Sequence, residues 1–211
     1  MRIGITQRVE LMNGERRDCL DRAWPELLTA LGHFVFPLPN VPGSAERWLR
    51  EAKLEALILS GGNDLGVASH AANVSAERDA FESELIELFR QKKLPVLGVC
   101  RGMQRLLTHF GVTLQQLTDH AGKPHTVTVE EWPGGTSRLT VNSFHNFGFQ
   151  KKTIPPAWKV LASASDETVE AVRHATLPFW GIMWHPERPP ELEANRTLLN
   201  TLFPTKIRRA A

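Results

Sequence analysis

An apolar run, Leu94 to Val99, passes without a linker into helical spacing, and no other junction in the chain constrains the fold as tightly. The run reads as a buried strand, with Pro95 near its start and Gly98 near its end. After Cys100 the apolar residues Met103, Leu106, Leu107 and Phe110 recur on one helical side until Gly111 stops the pattern. A strand feeding a helix through one residue belongs in a sheet whose helices lie on its faces.

The junction residue is a cysteine flanked at two residues on either side by Gly98 and Gly102. Gly-x-Cys-x-Gly is the thiol counterpart of the Gly-x-Ser-x-Gly nucleophile elbow, where small neighbours let a tight turn push one side chain outward. A helix N-terminus also favours thiolate over thiol, through its unpaired N–H groups and dipole. Taken alone, the motif describes an ordinary packed thiol at least as well. The rest of the chain bears on the choice.

Short apolar runs at Arg2–Thr6, Phe34–Leu38 and Ala56–Leu59 alternate with helical patterns at Arg17–Leu31, Ser44–Lys53 and Ser75–Lys93. Pro25, inside the first of those helices, implies a later start or a kink. This alternation predicts a doubly wound α/β domain, with a mostly parallel central sheet flanked by helices in the flavodoxin-like manner. After Leu114 short β-prone pieces take over, at Thr126–Glu130, Arg138–Val141, Lys159–Ser163, Thr168–Arg173 and Phe179–Trp184. They predict a small antiparallel β addition in the C-terminal half, either on the main sheet or beside it. A last helix is expected over Pro190–Phe203. With 211 residues and no linker or repeat, 1–211 is expected to be a single domain.

Ligands of such sheets gather beyond the carboxyl ends of the strands. Two more loops emerge there. Ser60-Gly61-Gly62, directly after ALIL, suits close approach of backbone N–H groups to a ligand oxygen. Trp184-His185-Pro186-Glu187, directly after FWGIM, offers a base and, two residues on, a carboxylate that sets its tautomer. Together they compose an acyl-transfer site in which Cys100 attacks a carbonyl, His185 moves the proton and Glu187 orients the imidazole. The N–H groups of Gly62 and Arg101 form the oxyanion hole.

Five segments, LSGGNDLG, AERDAFE, KLPVLGVCRGMQRL, VNSFHNFG and GIMWHPE, occur in the order seen in class I glutamine amidotransferase domains. The chain resembles in particular the free-standing γ-glutamyl hydrolases of that superfamily, the peptidase C26 group. The resemblance implies Cys100, His185 and Glu187 as catalytic triad, and Gly62 and Arg101 as oxyanion donors. It further implies Gly61, Asn63, Gln104, Ser143, Phe144 and His145 as substrate contacts, and a small-molecule γ-glutamyl amide as substrate. Asn146 stands where many members carry a second histidine. The openings GITQRVE and RRDCLDRAW are similar to those of γ-glutamyl-CDP-amidate hydrolases of capsule phosphoramidate pathways, which release glutamate and cytidine diphosphoramidate. In that setting Arg8, Arg16 and Arg17 suit a diphosphate, and equally suit solvated surface.

Three readings stay open: a stand-alone γ-glutamyl amide hydrolase (γ-glutamyl-GABA types included), a glutaminase subunit feeding ammonia to a partner synthetase, and a binding protein on the same fold. A homodimer is compatible with each. A net charge of +2 gives no electrostatic case for nucleic acid, and Lys206, Arg208 and Arg209 read as a solvated tail. No run approaches membrane-spanning length, MRIGITQRV starts as a strand rather than a signal peptide, and two cysteines exclude a disulfide framework, so a cytoplasmic setting is expected. Cys19 is expected to pack. No cofactor and no metal are expected: His120 and His125 sit close in sequence, but no carboxylate spacing around them makes a ligand set. His33, His70, His109 and His174 read as packing or surface residues.

Overall fold

A computed structural model describes residues 1–69, 71–190 and 192–205, so His70 and the basic residues Lys206, Arg208 and Arg209 lie outside the described residues. In chain order the elements are β1 (Arg2–Thr6), β2 (Arg8–Met12), β3 (Glu15–Cys19), α1 (Ala23–Ala30), β4 (Phe34–Leu38), α2 (Ala45–Glu51), β5 (Ala56–Leu59), α3 (Ala76–Lys92), β6 (Val96–Val99) and α4 (Arg101–His109). There follow β7 (Gln115–Gln116), β8 (His125–Val129), β9 (Arg138–Val141), β10 (Phe147–Gly148), β11 (Trp158–Ser163), β12 (Val169–His174), β13 (Phe179–Ile182) and α5 (Glu193–Leu202).

One nine-stranded sheet runs β4-β1-β5-β6-β13-β12-β11-β8-β9. Its first five strands are parallel and the rest antiparallel. The antiparallel addition therefore extends the main sheet, while β7 and β10 pair separately. Strands β5 and β6 are buried on both faces, as their unbroken apolar sequences require. Trp24 and Leu28 of α1 and Leu198, Leu199 and Leu202 of α5 pack on one face. Leu49 of α2, Phe81, Leu85 and Phe89 of α3, and Met103, Leu106 and Leu107 of α4 pack on the other. Each fully buried side chain of this kind contributes ~1.5–3 kcal/mol.

Two expectations change. The helix expected over Arg17–Leu31 begins only at Ala23, and Arg17–Cys19 belongs to β3. With β2 it forms a hairpin whose turn is Asn13-Gly14, both at positive φ, where a plain loop was expected. Among the described residues no helix is long and apolar enough to cross a membrane.

Candidate active site

Cys100 directly follows β6 at φ 53° and ψ −111°, a positive-φ conformation that costs a non-glycine residue about 1–3 kcal/mol. The surroundings hold it there. Its N–H donates to the Ile182 carbonyl of β13 at 2.8 Å, and its carbonyl accepts from Gln104 N at 3.1 Å. The flanking glycines serve close approach. A Cβ on Gly102 would lie 1.9 Å from the Leu59 carbonyl oxygen, and one on Gly98 would lie 2.6 Å from the Gly102 oxygen. Helix α4 thus starts directly against the end of β5.

Because β13 lies parallel to β6 with Ile182 opposite Val99, the residues after both strands leave the same edge of the sheet. That register brings His185 to Cys100 from 85 positions further along the chain. His185 Nδ1 lies 2.7 Å from Glu187 Oε1, and the Glu187 side chain is buried. Burial alone would lower the His185 pKa; hydrogen bonding and charge from Cys100, then from Glu187, outweigh it and lift the value to about 9. The His185 backbone is clamped by Asn142, whose Oδ1 accepts from its N–H at 2.9 Å and whose Nδ2 donates to its carbonyl at 3.0 Å. Sequence reasoning missed Asn142, although it lies within the VNSFHNFG segment.

The glycine loop after β5 is set by Arg78, a fully buried residue of α3. Its guanidinium donates to the carbonyls of Ser60 (2.7 Å), Gly61 (3.1 Å) and Gly62 (2.7 Å). It also reaches Ser60 Oγ, Asn63 Oδ1 and Glu82 Oε1. Arg101 completes the network through Glu82 and Asp79. Burial pushes Glu82 up, yet the Arg101 and Arg78 charges hold it down at about 2, so the buried carboxylate is ionised. Ser75 caps α3 by accepting from Arg78 N, which fixes the start of the helix that carries this group. The role of Arg78, Asp79 and Glu82 within AERDAFE was not foreseen.

The expected substrate contacts divide. Gly61 lies between the other partners: a Cβ there would sit 2.6 Å from His185 Cε1 and 3.5 Å from Cys100 Cβ. Phe144 is half exposed, with its ring edge-on to His185 at 5.6 Å and under the Arg188 guanidinium at 5.0 Å. Ser143 is buried, with an Oγ that lacks a protein partner. Asn63 spends its amide on the Val9 backbone of β2, and Gln104 Nε2 donates to the Phe147 carbonyl. His145 is turned toward Phe147 O and Glu170. Arg8 packs over Gly62 and pairs with Glu10, whereas Arg16 and Arg17 pair with Glu77 and Glu15. Arg8 and Cys19 line a cavity of about 20 Å³ with Gly61, Gly62, His185 and Glu187, so Cys19 faces this site rather than the core. A larger cavity of about 320 Å³ lies behind Glu187, between α1 and the start of α5.

The remaining histidines with expectations are structural. His33 is buried beside the N-terminal amine, and His109 and His174 pack on aromatic rings.

A parallel sheet with a cysteine elbow at the end of one strand and a histidine–carboxylate pair after its neighbour defines a glutamine amidotransferase-type fold. A protein crystallised as a GMP synthase subunit from Thermoplasma acidophilum superposes with a TM-score of 0.73 at 22% identity, over 96% of this chain and 92% of its own. A glutamine amidotransferase of Thermotoga maritima superposes with a TM-score of 0.65 at 17% identity, over 88% and 76%. The peptidase C26 family model matches residues 3–187. The chain belongs to the peptidase C26 family and is a hydrolase. It is 36% identical to γ-glutamyl-CDP-amidate hydrolase of Campylobacter jejuni over 89% of this chain and 90% of that one. It is 27% identical to γ-glutamyl-γ-aminobutyrate hydrolase of Escherichia coli O157:H7 over 88% and 85%.

Proposed function

We propose that this hydrolase cleaves γ-glutamyl amides with Cys100 as nucleophile, His185 as acid and base, and Glu187 as the group that orients it. The observation that carries the reading is the geometry: a strained cysteine at the N-cap position of α4, His185 beside it across Gly61, and Glu187 fixed behind that ring at 2.7 Å. The Cys100 thiolate adds to the γ-carbonyl, and the resulting oxyanion takes hydrogen bonds from the Gly62 and Arg101 N–H groups. As the C–N bond breaks, His185 gives its proton to the departing nitrogen and a γ-glutamyl thioester remains. Water then attacks the thioester, His185 accepts its proton, and glutamate leaves with the thiolate restored.

The preferred substrate is γ-glutamyl-CDP-amidate, giving cytidine diphosphoramidate for capsule assembly in the cytoplasm. The 36% identity with the Campylobacter hydrolase supports this choice, since it runs nearly the full length of both chains. A second reading, a glutaminase subunit with a partner synthetase, is favoured by 29% identity to one of the subunits of the glutamine-hydrolysing GMP synthase of Thermococcus kodakarensis. Glutamate release by purified protein from γ-glutamyl-CDP-amidate, γ-glutamyl-GABA and glutamine separates them. The first reading expects turnover without a partner, fastest on the CDP-amidate and reduced to background in Cys100→Ala. Turnover only of glutamine, and only with a synthetase added, supports the second. Full activity in Cys100→Ala would sink both.

A further inference from the structure

In the antiparallel half of the sheet, three imidazoles converge on one buried carboxylate oxygen. His120 Nδ1, His125 Nε2 and His145 Nε2 lie 3.6, 3.4 and 3.6 Å from Glu170 Oε1. The Glu170 and His145 side chains are almost wholly buried, at 0% and 1% exposure. None of these three nitrogens has a hydrogen-bond partner, nor does either Glu170 oxygen. Donor atoms of His120, His145 and Glu170 all fall within 4.8 Å of one another.

The spacing is wrong for hydrogen bonds and right for a shared ion. A charge-assisted N–H···O bond closes to about 2.7–2.9 Å, as His185 and Glu187 do in this same chain at 2.7 Å. A tetrahedral zinc with bonds of about 2.0–2.1 Å instead separates its ligands by about 3.3 Å. The imidazoles are also held as ligands are held. His120 Nε2 is bonded to Asp166 Oδ2 at 3.0 Å, and Asp166 is itself gripped by Thr168 N and Oγ1. His145 Nδ1 is bonded to the Phe147 carbonyl at 3.2 Å. In both rings the outer nitrogen is occupied, which turns the lone pair of the inner one toward Glu170.

We propose that His120, His145 and Glu170 hold a zinc-class divalent ion in a structural site, with Asp166 positioning His120 and His125 standing beside the same Glu170 oxygen. The three donors belong to none of the groups around Cys100, so the ion's part is to brace the fold. What it braces matters to the active site. His145 belongs to the segment in which Asn142 clamps the His185 backbone and Phe144 packs on its ring. Tying His145 to Glu170 of β12 pins that segment at its far side.

The competing occupant of the cluster is a proton. The nearby Glu170 carboxylate, opposed by burial and helped by Asp166, lifts His120 to about 9. Metal analysis of untagged protein purified without chelator decides between them, followed by stripping and titration with zinc sulfate against a chromophoric indicator. One zinc per chain is expected, in purified or refilled protein, with a rise in Tm on refilling. Asp166→Ala, at a half-exposed position, should weaken zinc about 10–100-fold while circular dichroism stays native. His120→Ala should weaken it at least as much. No uptake by stripped protein that is folded would overturn the site and leave the proton as occupant. Zinc that survives His120→Ala but vanishes in Cys100→Ala sits on the thiol, and overturns it equally.

Discussion

Gly61→Ala tests the alignment of Cys100 and His185 with a single methyl group. The new Cβ would lie 2.6 Å from His185 Cε1 and 3.4 Å from His185 Nε2, where carbon contacts settle at about 3.5–4.0 Å. Gly61 is outside the left-handed region, so alanine brings no backbone strain and the clash alone acts. The ring must retreat by about 1 Å, because Asn142 and Glu187 hold its backbone and its Nδ1. A displacement of that size at a proton-transfer group costs about 100-fold in rate, or about 2.7 kcal/mol of barrier. The loss should appear in kcat rather than KM, read as glutamate release from the best substrate of the panel. Iodoacetamide alkylation of Cys100 gives a readout free of substrate, and its pH profile should shift with the weakened pair. A Gly61→Ala enzyme within about threefold of wild type, with an unchanged alkylation profile, would refute this placement of the base.

Three further outcomes follow from the charges. His185 is raised from 6.5 to about 9, so the folded protein holds this proton more tightly than the unfolded chain. The resulting stability is full below pH 6.5 and fades as pH climbs through about 9; turnover should fall on the same alkaline limb as the acid is lost. Glu187→Gln should move that limb to lower pH and leave residual activity, and an unmoved limb in the pH–rate profile counts against Glu187 as the orienting group. Arg78→Met leaves the buried Glu82 charge with one fewer partner and three loop carbonyls without their donor. It should destabilise the protein by about 3–5 kcal/mol in urea unfolding, whereas a loss under about 1 kcal/mol would deny Arg78 its place as organiser of the loop.

The parallel core was readable because Ala56–Leu59 and Val96–Val99 are short, unbroken apolar runs, a pattern that only strands covered on both faces require. The meeting of Cys100 and His185 was readable for the same reason, since both follow such strands. Arg17–Cys19 misled because Leu20, Trp24 and Leu27 continue a helical period backwards, while pairing with Arg8–Glu10 decides its conformation. Arg78 and Glu82 were hidden differently: charges on the core face of a helix contradict its apolar period, and only mutual neutralisation allows them there. Glu170 could not be joined to His120 or His125 by local spacing, because it arrives on β12 as an ordinary strand residue in TVEAV.

The β2–β3 hairpin is a small sheet of its own, fastened by Asn63 to Val9 and by Asp18 to Asn40, with Leu11 and Met12 left in solvent. Its base contributes Arg8 and Cys19 to the rim beside His185 and touches the glycine loop through Arg8 on Gly62 and Val9 on Asn63, while Arg78 holds that loop from the other side. The rim of the site is thus supplied in part by a two-stranded unit outside the main sheet, whereas Cys100 and His185 follow strands within it. Changes at the hairpin tip, where Leu11 and Met12 stand in solvent, therefore leave the core packing around Cys100 and His185 as it is.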